Sequence, residues 1–208
     1  MKVLLLNGSA RKNGCTYTAL SEIATILEQE NVECEIMHLG NQSVRDCIGC
    51  GKCATLNNQC VFDDDIVNEI IAKAAEADGF VFGTPVYYAH PSGRILSILD
   101  RVFYAGGKVF AHKPGMAIAS ARRAGTTASI DVLNKYMTIA QMPVVSSTYW
   151  NMVHGSTPED VKKDEEGLQT MRNLGRNMAW LLKCIEIGKQ NGIQPPKIER
   201  TFRTNFIR

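Results

Sequence analysis

The chain has 208 residues, a net charge of +2 and seven cysteines. That length fits one α/β domain of ordinary core size, and so small a charge without a long basic block argues against a nucleic-acid partner. No apolar stretch reaches membrane-spanning length and no charged-then-apolar signal segment opens the chain, so no membrane association is expected. The cysteines then read as reduced thiols or metal ligands in the cytoplasm rather than as a disulfide framework.

In chain order, the apolar run Val3–Leu6 predicts a short buried strand that breaks into Asn7-Gly8-Ser9-Ala10-Arg11-Lys12-Asn13-Gly14-Cys15-Thr16. A helix start exposes unpaired N–H groups and the positive end of its dipole, which suits an anion. Ser9 and Thr16 can add hydroxyl donors, and Arg11 or Lys12 can neutralise charge. The loop reads as a phosphate cradle, although an ordinary strand-to-helix turn favours the same residues. It lacks the G-x-G-x-x-G of dinucleotide folds and the Gly-Lys-Ser/Thr ending of a P-loop. It also lacks the strand-end cysteine of a phosphatase, since Asn7 and Gly8 stand there.

A helix over Thr16–Glu30 follows, carrying Leu20, Ile23, Ile26 and Leu27 on one stripe, then a strand over Cys34–His38. Gly40–Phe62, rich in Cys and Gly, interrupts the alternation before a helix over Asp65–Ala77 and a strand over Gly79–Gly83. The loop Gly83–Gly93 carries two prolines and the pair Tyr87-Tyr88, a stiff flat surface that a planar heterocycle can use or that covers the sheet end. His90 within it has no nucleophile to serve and reads as a surface or capping residue. A helix over Gly93–Phe103 leads to a strand over Gly115–Ser120, and then to a small-residue loop, Ser120–Thr127, bearing Arg122 and Arg123.

A helix over Ala128–Gln141 and a fifth strand over Pro143–Ser147 complete the alternation. A second interruption, Tyr149–Val161, precedes a long helix over Glu165–Lys189. The tail from Asn191 lacks periodicity and reads as a docking arm or a loose end. The expected organisation is one domain over residues 1–190, with 40–62 as a cysteine-rich insertion and 191–208 as the tail. Alternating strands and helices predict a doubly wound parallel sheet with helices on both faces, for which the order 2-1-3-4-5 is taken as one of the common arrangements. Its ligand crevice lies between the first and third strands, where the loops after the first, third and fourth strands meet.

Three motifs together, the Gly8–Thr16 loop, Cys47-Ile48-Gly49-Cys50-Gly51-Lys52-Cys53 and Gly83-Thr84-Pro85-Val86-Tyr87-Tyr88, resemble the NADPH-dependent FMN reductase family and especially its iron–sulfur flavoprotein branch. Ala77-Asp78 and Leu99-Asp100-Arg101 fit the same pattern. The resemblance implies a flavodoxin-like fold binding FMN non-covalently. Ser9, Arg11, Asn13, Gly14, Cys15 and Thr16 would surround the phosphate, although Cys15 departs from the small or polar residue expected there. Pro85, Val86, Tyr87 and Tyr88 would line the ribityl chain and ring. Ser120, Ala121, Arg122 and Gly125 would approach the pyrimidine end, where a cation or N–H stabilises charge that develops on reduction. The resemblance also implies a homodimer or homotetramer with flavins near subunit boundaries, so that Arg101 or Tyr104 could reach a neighbour's flavin.

Cys47, Cys50, Cys53 and Cys60, at spacings x2, x2 and x6, suit a 4Fe-4S cluster wrapped by one loop. The same four sulfurs suit a tetrahedral zinc, or remain free thiols or a disulfide. Cys34 and Cys184 read as buried small apolar residues. The expected activity is an FMN-dependent oxidoreductase in which NAD(P)H reduces the flavin and the flavin reduces a quinone, free flavin or other small acceptor. The alternative is an iron–sulfur flavoprotein exchanging electrons between FMN, the cluster and a ferredoxin-like partner. No side chain is expected to act as a catalytic acid, base or nucleophile, because the flavin carries the chemistry.

Overall fold

Alternation along Lys2–Asn7 (β1) sends Val3 and Leu5 to one face of a sheet and Leu4 and Leu6 to the other, and all four are buried. Both faces of the strand therefore need cover, which a computed structural model describing residues 1–202 and 204 supplies with helices on each side. On one face Val3 and Leu5, joined by Val81, Met116 and Ile118, pack against Cys15–Gln29 (α1) and Glu165–Gln190 (α6) through Leu20, Ile23, Met171, Leu174 and Met178. On the other, Leu4 and Leu6 with Phe80 and Phe82 meet Val67–Glu76 (α2), Gly93–Gly106 (α3) and Thr126–Ile139 (α4). Phe80 meets Phe110 at a tilt with 4.7 Å between ring centroids, and Phe103 stacks on Phe110 at 4.5 Å. Truncating such a ring to Ala costs about 3–5 kcal/mol.

The strands run parallel. β1 pairs with Glu33–His38 (β2) and with Gly79–Tyr87 (β3), which pairs with Gly115–Ala121 (β5). Met152–His154 (β6) pairs with the end of β5, giving the order β2-β1-β3-β5-β6. This is the doubly wound class expected from the alternation, in the flavodoxin-like order that the resemblance implied, with its crevice at the carboxyl ends of β1 and β3. A two-residue strand, His90–Pro91 (β4), folds back on the end of β3 as a hairpin that the sequence reading took as loop.

The fifth parallel strand lies later than expected. Pro143–Ser147 touches the sheet at Gly115, where the Gly115 N–H donates to the Pro143 carbonyl and the Val145 N–H donates to Gly115. The chain then swings outward through Tyr149 and Trp150, whose rings meet edge-on in solvent, and re-enters the ladder at Met152. Asn151 secures the re-entry, its side-chain amide donating to the Ala117 carbonyl at 3.1 Å. One short helix not expected from the sequence, Pro158–Val161 (α5), is closed by a capping box between Thr157 and Asp160. None of the described helices is long and apolar enough to cross a membrane.

Candidate functional site

Asn7 ends β1 fully buried and its side chain shapes the loop that follows. Its Oδ1 accepts from the Ser9 N–H at 3.1 Å and its Nδ2 donates to the Lys12 carbonyl at 3.0 Å. This is the local Asx bonding that makes Asn a turn former. Ser9, also buried, accepts from the Arg11 N–H at 3.1 Å, and its carbonyl lies 2.8 Å from His38 Nε2 at the end of β2. The loop thus arrives at Gly14 already folded. No side chain caps α1 there and no acidic residue stands in its first turn, while Arg11, Lys12 and Asn13 are exposed beside it. An uncapped helix start flanked by two cations fits a phosphate.

The other two loops close on this one. The Gly8 N–H donates to the Gly83 carbonyl at 2.8 Å, and Ser92, the N-cap of α3, donates to the Gly8 carbonyl at 2.8 Å while accepting from Ile95. Thr84 holds Ser92 in turn through its N–H at 3.0 Å. The Tyr87 hydroxyl accepts from the Ala10 N–H at 3.3 Å, so the third-strand loop reaches over the first. Pro85 is buried at the strand end with Val86 half-buried, and Tyr88 stands free in solvent with φ 61° at the hairpin tip. From β5, the Ser120 hydroxyl meets the Thr16 hydroxyl at 2.8 Å, both buried, which ties the fourth loop to the start of α1. Ala121 ends the strand, and Arg122 and Arg123 follow, exposed. Gly125 has φ 91°, and a Cβ there would stand 2.8 Å from Val86 Cγ1, so both backbone and contact demand glycine.

Ser9, Arg11, Asn13, Gly14, Cys15, Thr16, Pro85–Tyr88, Ser120–Arg122 and Gly125 therefore share one edge of the sheet. Sequence reading missed Asn7 and His38 as the supports of this edge. Asn7 directly before a glycine at a strand end was the available signal, whereas nothing in the sequence pointed His38 at Ser9. Cys15 is half-buried with its Sγ 3.6 Å from the Gly155 carbonyl, and burial pushes its thiol up.

The cysteine segment forms a second, separate recess. Cys47, Cys50, Cys53 and Cys60 line one hollow with Phe62, Arg101 and Tyr104, open to solvent. Gly49 and Gly51 have φ 63° and 69°, conformations that turn the chain between successive cysteines, and Cys53 sits in the 3-10 turn Lys52–Ala54. The seven cysteines are free of disulfides, and among the described residues no three His, Cys, Asp or Glu side chains converge as a metal-holding group. The hollow presents four soft sulfur donors without drawing them together, a donor set that fits an iron–sulfur cluster or zinc once gathered.

Cys60 is the fixed member. Its N–H donates to Asn68 Oδ1 at 2.8 Å and its carbonyl accepts from Asn68 Nδ2 at 3.1 Å, while its Sγ accepts from Arg101 Nε at 3.3 Å. Arg101 is buried and paired with Asp65. Its guanidinium is thus turned toward the cysteine segment, whereas Tyr104 is exposed at the rim of the recess. Asp100, beside it in the sequence, accepts from the Tyr136 hydroxyl, and burial and that carboxylate push the phenol up. Cys184 is exposed on α6 rather than buried, because the helix turns Met178 and Leu182 inward and leaves position 184 outside. Cys34 is half-buried, and burial pushes its thiol up to about 12, which keeps it unreactive.

Residues 1–157 match the family described as NADPH-dependent FMN reductase. An iron-sulfur flavoprotein of Methanocaldococcus jannaschii is 32% identical over 197 residues, covering 89% of this chain and 100% of that protein. An NADPH azoreductase of a Bacillus species is 27% identical over 200 residues, covering 93% of this chain and 100% of that one. A flavodoxin from the domain Archaea superposes with a TM-score of 0.60 at 15% identity, over 88% of this chain and 99% of that structure. The chain belongs to the NADPH-dependent FMN reductase family of flavin-dependent oxidoreductases.

Proposed function

We propose that the protein is an iron–sulfur flavoprotein that binds FMN at the three-loop edge and a 4Fe-4S cluster in the cysteine recess, and exchanges electrons with a ferredoxin-like partner. The observation that carries this reading is that Cys47, Cys50, Cys53 and Cys60 line one recess, in a chain similar along most of its length to an iron-sulfur flavoprotein. When bound, FMN and the cluster supply the redox chemistry, so no side chain need form a bond with substrate.

The chain's own residues bind, orient and shield. The N–H groups at the start of α1 and the exposed Arg11 hold the phosphate, with Ser9, Asn13, Gly14, Cys15 and Thr16 setting the loop around it. Pro85, Val86, Tyr87 and Tyr88 would offer a flat apolar surface to the ring, and Arg122 with the turn at Gly125 would approach its pyrimidine end. A cation there favours the reduced, more negative flavin. Cys47, Cys50 and Cys53 close on Cys60, which the structure already holds. A homodimer or homotetramer remains part of this proposal, to be read from its mass in solution.

The test is anaerobic purification followed by an absorption spectrum and assays of flavin, iron and acid-labile sulfide per chain. Flavin with about four irons per chain supports the reading. Flavin without iron or zinc, after reconstitution with ferrous iron and sulfide, moves the protein to a nicotinamide-dependent reductase of a quinone, flavin or other small acceptor. That outcome leaves the cysteines as thiols. Zinc in place of iron makes the recess structural, and absence of flavin after incubation with FMN overturns both readings.

A further inference from the structure

Arg101 is the largest fully buried side chain among the described residues, and it faces the cysteine recess, not the three-loop edge. Burying a guanidinium is unfavourable unless its donors and charge are met. Here Nη2 donates to Asp65 Oδ1 at 3.2 Å and Nη1 to Asp65 Oδ2, so the carboxylate takes the fork at two points. Nη1 also donates to the Arg45 carbonyl at 3.3 Å and Nη2 to the Phe62 carbonyl at 3.5 Å. The remaining donor, Nε, points at Cys60 Sγ, 3.3 Å away. A two-point ion pair fixes the plane of the guanidinium, and the plane fixes where Nε aims. Every donor group thus reaches the segment 45–65, and one of them reaches a sulfur.

We propose that the buried Arg101–Asp65 pair is the positioning and potential-setting unit of the cysteine recess, holding Cys60 as the anchor ligand and biasing the cluster electrostatically from one side. This rests on the cluster reading above. An N–H donated to a ligand sulfur and a buried cation nearby both favour the form with more negative charge, and a cluster gains one negative charge on reduction. Arg101 therefore raises the reduction potential, and Asp65, its counter-charge, moderates that rise. The exposed Arg45, paired with Asp64 and lying over the Phe62 ring, is screened by water and contributes less.

The opposite signs of the two charges give a test that a merely structural role would not pass. Wild type, Arg101→Lys, Arg101→Gln and Asp65→Asn are reconstituted anaerobically with ferrous iron and sulfide, assayed for iron per chain, and titrated to the cluster's midpoint potential. The expected result is a potential lowered in Arg101→Gln, lowered less in Arg101→Lys, and raised in Asp65→Asn, in proteins that load iron. If Arg101→Gln fails to fold, the Lys and Asn variants carry the same comparison of signs. Loaded variants whose potentials coincide with wild type, or all shift in one direction, overturn this assignment and leave the cluster reading standing. A wild type that takes up no iron overturns the cluster reading and the assignment with it.

Discussion

The three-loop edge and the cysteine recess stand at two stations of one helix. Ser92, the N-cap of α3, is bonded to the first loop, and Arg101, nine residues on and about 14 Å along the axis, walls the recess. Their construction differs. At the three-loop edge the polar groups Asn7, Ser9, Thr16, Thr84, Ser92 and Ser120 are buried and bonded to one another or to backbone, so the loops are shaped before anything binds. In the recess Ile48, Gly49, Cys50 and Gly51 are exposed, the turn Lys52–Ala54 is held only by its own local bonds, and bonds to the rest of the fold gather at Cys60. A phosphate can be met by backbone N–H groups that the fold fixes anyway, whereas thiolates hold a metal by side chains that converge when it arrives. The three-loop edge is shaped in advance, and the recess is anchored at one end only, as a site that a bound cluster would complete must be.

The largest effect expected is at that anchor. Cys60→Ser removes the fixed ligand, and iron per chain should fall close to zero while bound FMN stays at the wild-type level. Loss of flavin together with iron, measured on the same sample, would break the comparison by showing that the two stations fold as one. At the preformed site the corresponding change is Asn7→Ala, which strips partners from a buried N–H and a carbonyl. Each group left unsatisfied costs about 1–3 kcal/mol, so urea denaturation should show a clear loss of stability and FMN should bind more weakly. Iron uptake should be unaffected. An Asn7→Ala protein as stable as wild type means that the loop is not held in advance.

How much of this was legible in the sequence follows the same division. β1, α1 and the three loops at the sheet edge could be read, because a buried parallel strand and an amphipathic helix leave periodic apolar patterns and the switch point follows from strand order. The cysteine spacing was legible as a donor set. The supports were not: Arg101 meets Cys60 across forty-one positions and His38 meets Ser9 across twenty-nine, contacts that no local pattern encodes. The fifth strand was misplaced because Pro143-Val144-Val145 has the apolar look of a strand and does touch Gly115. The ladder resumes only after an aromatic bulge, and three residues, Met152–His154, are too few to show a period. The order of the sheet survived that error, since the misplaced and the true segment both lie beside β5.

A smaller effect is expected at Arg11, whose side chain is exposed and therefore partly screened. Charge-assisted contacts contribute roughly 1.5–3 kcal/mol, and exposure places Arg11→Ala at the lower end, on the order of tenfold weaker FMN binding. Titration of apoprotein by flavin fluorescence quenching measures it, and the loss should shrink as salt rises. An unchanged affinity would assign the phosphate to backbone donors alone, which sharpens the picture of a site made by the fold.

The smallest effect belongs to Glu35 on β2, which touches neither station and so serves as the reference for both. Hydrogen bonds from Lys2 Nζ at 2.8 Å and Lys73 Nζ at 2.6 Å hold its carboxyl below the ordinary range. A carboxyl depressed by folding contributes stability above its unfolded pKa of about 4.3, and that contribution is lost as pH falls through the lower folded value. Glu35→Gln should therefore melt slightly lower than wild type at neutral pH, with the two curves converging as pH drops below about 4. The gap should be small, because both partners are partly solvated. Thermal melts across that pH range check it, with flavin and iron content unchanged throughout. A gap that persists undiminished in acid would mean that the side chain acts through packing rather than through its charge.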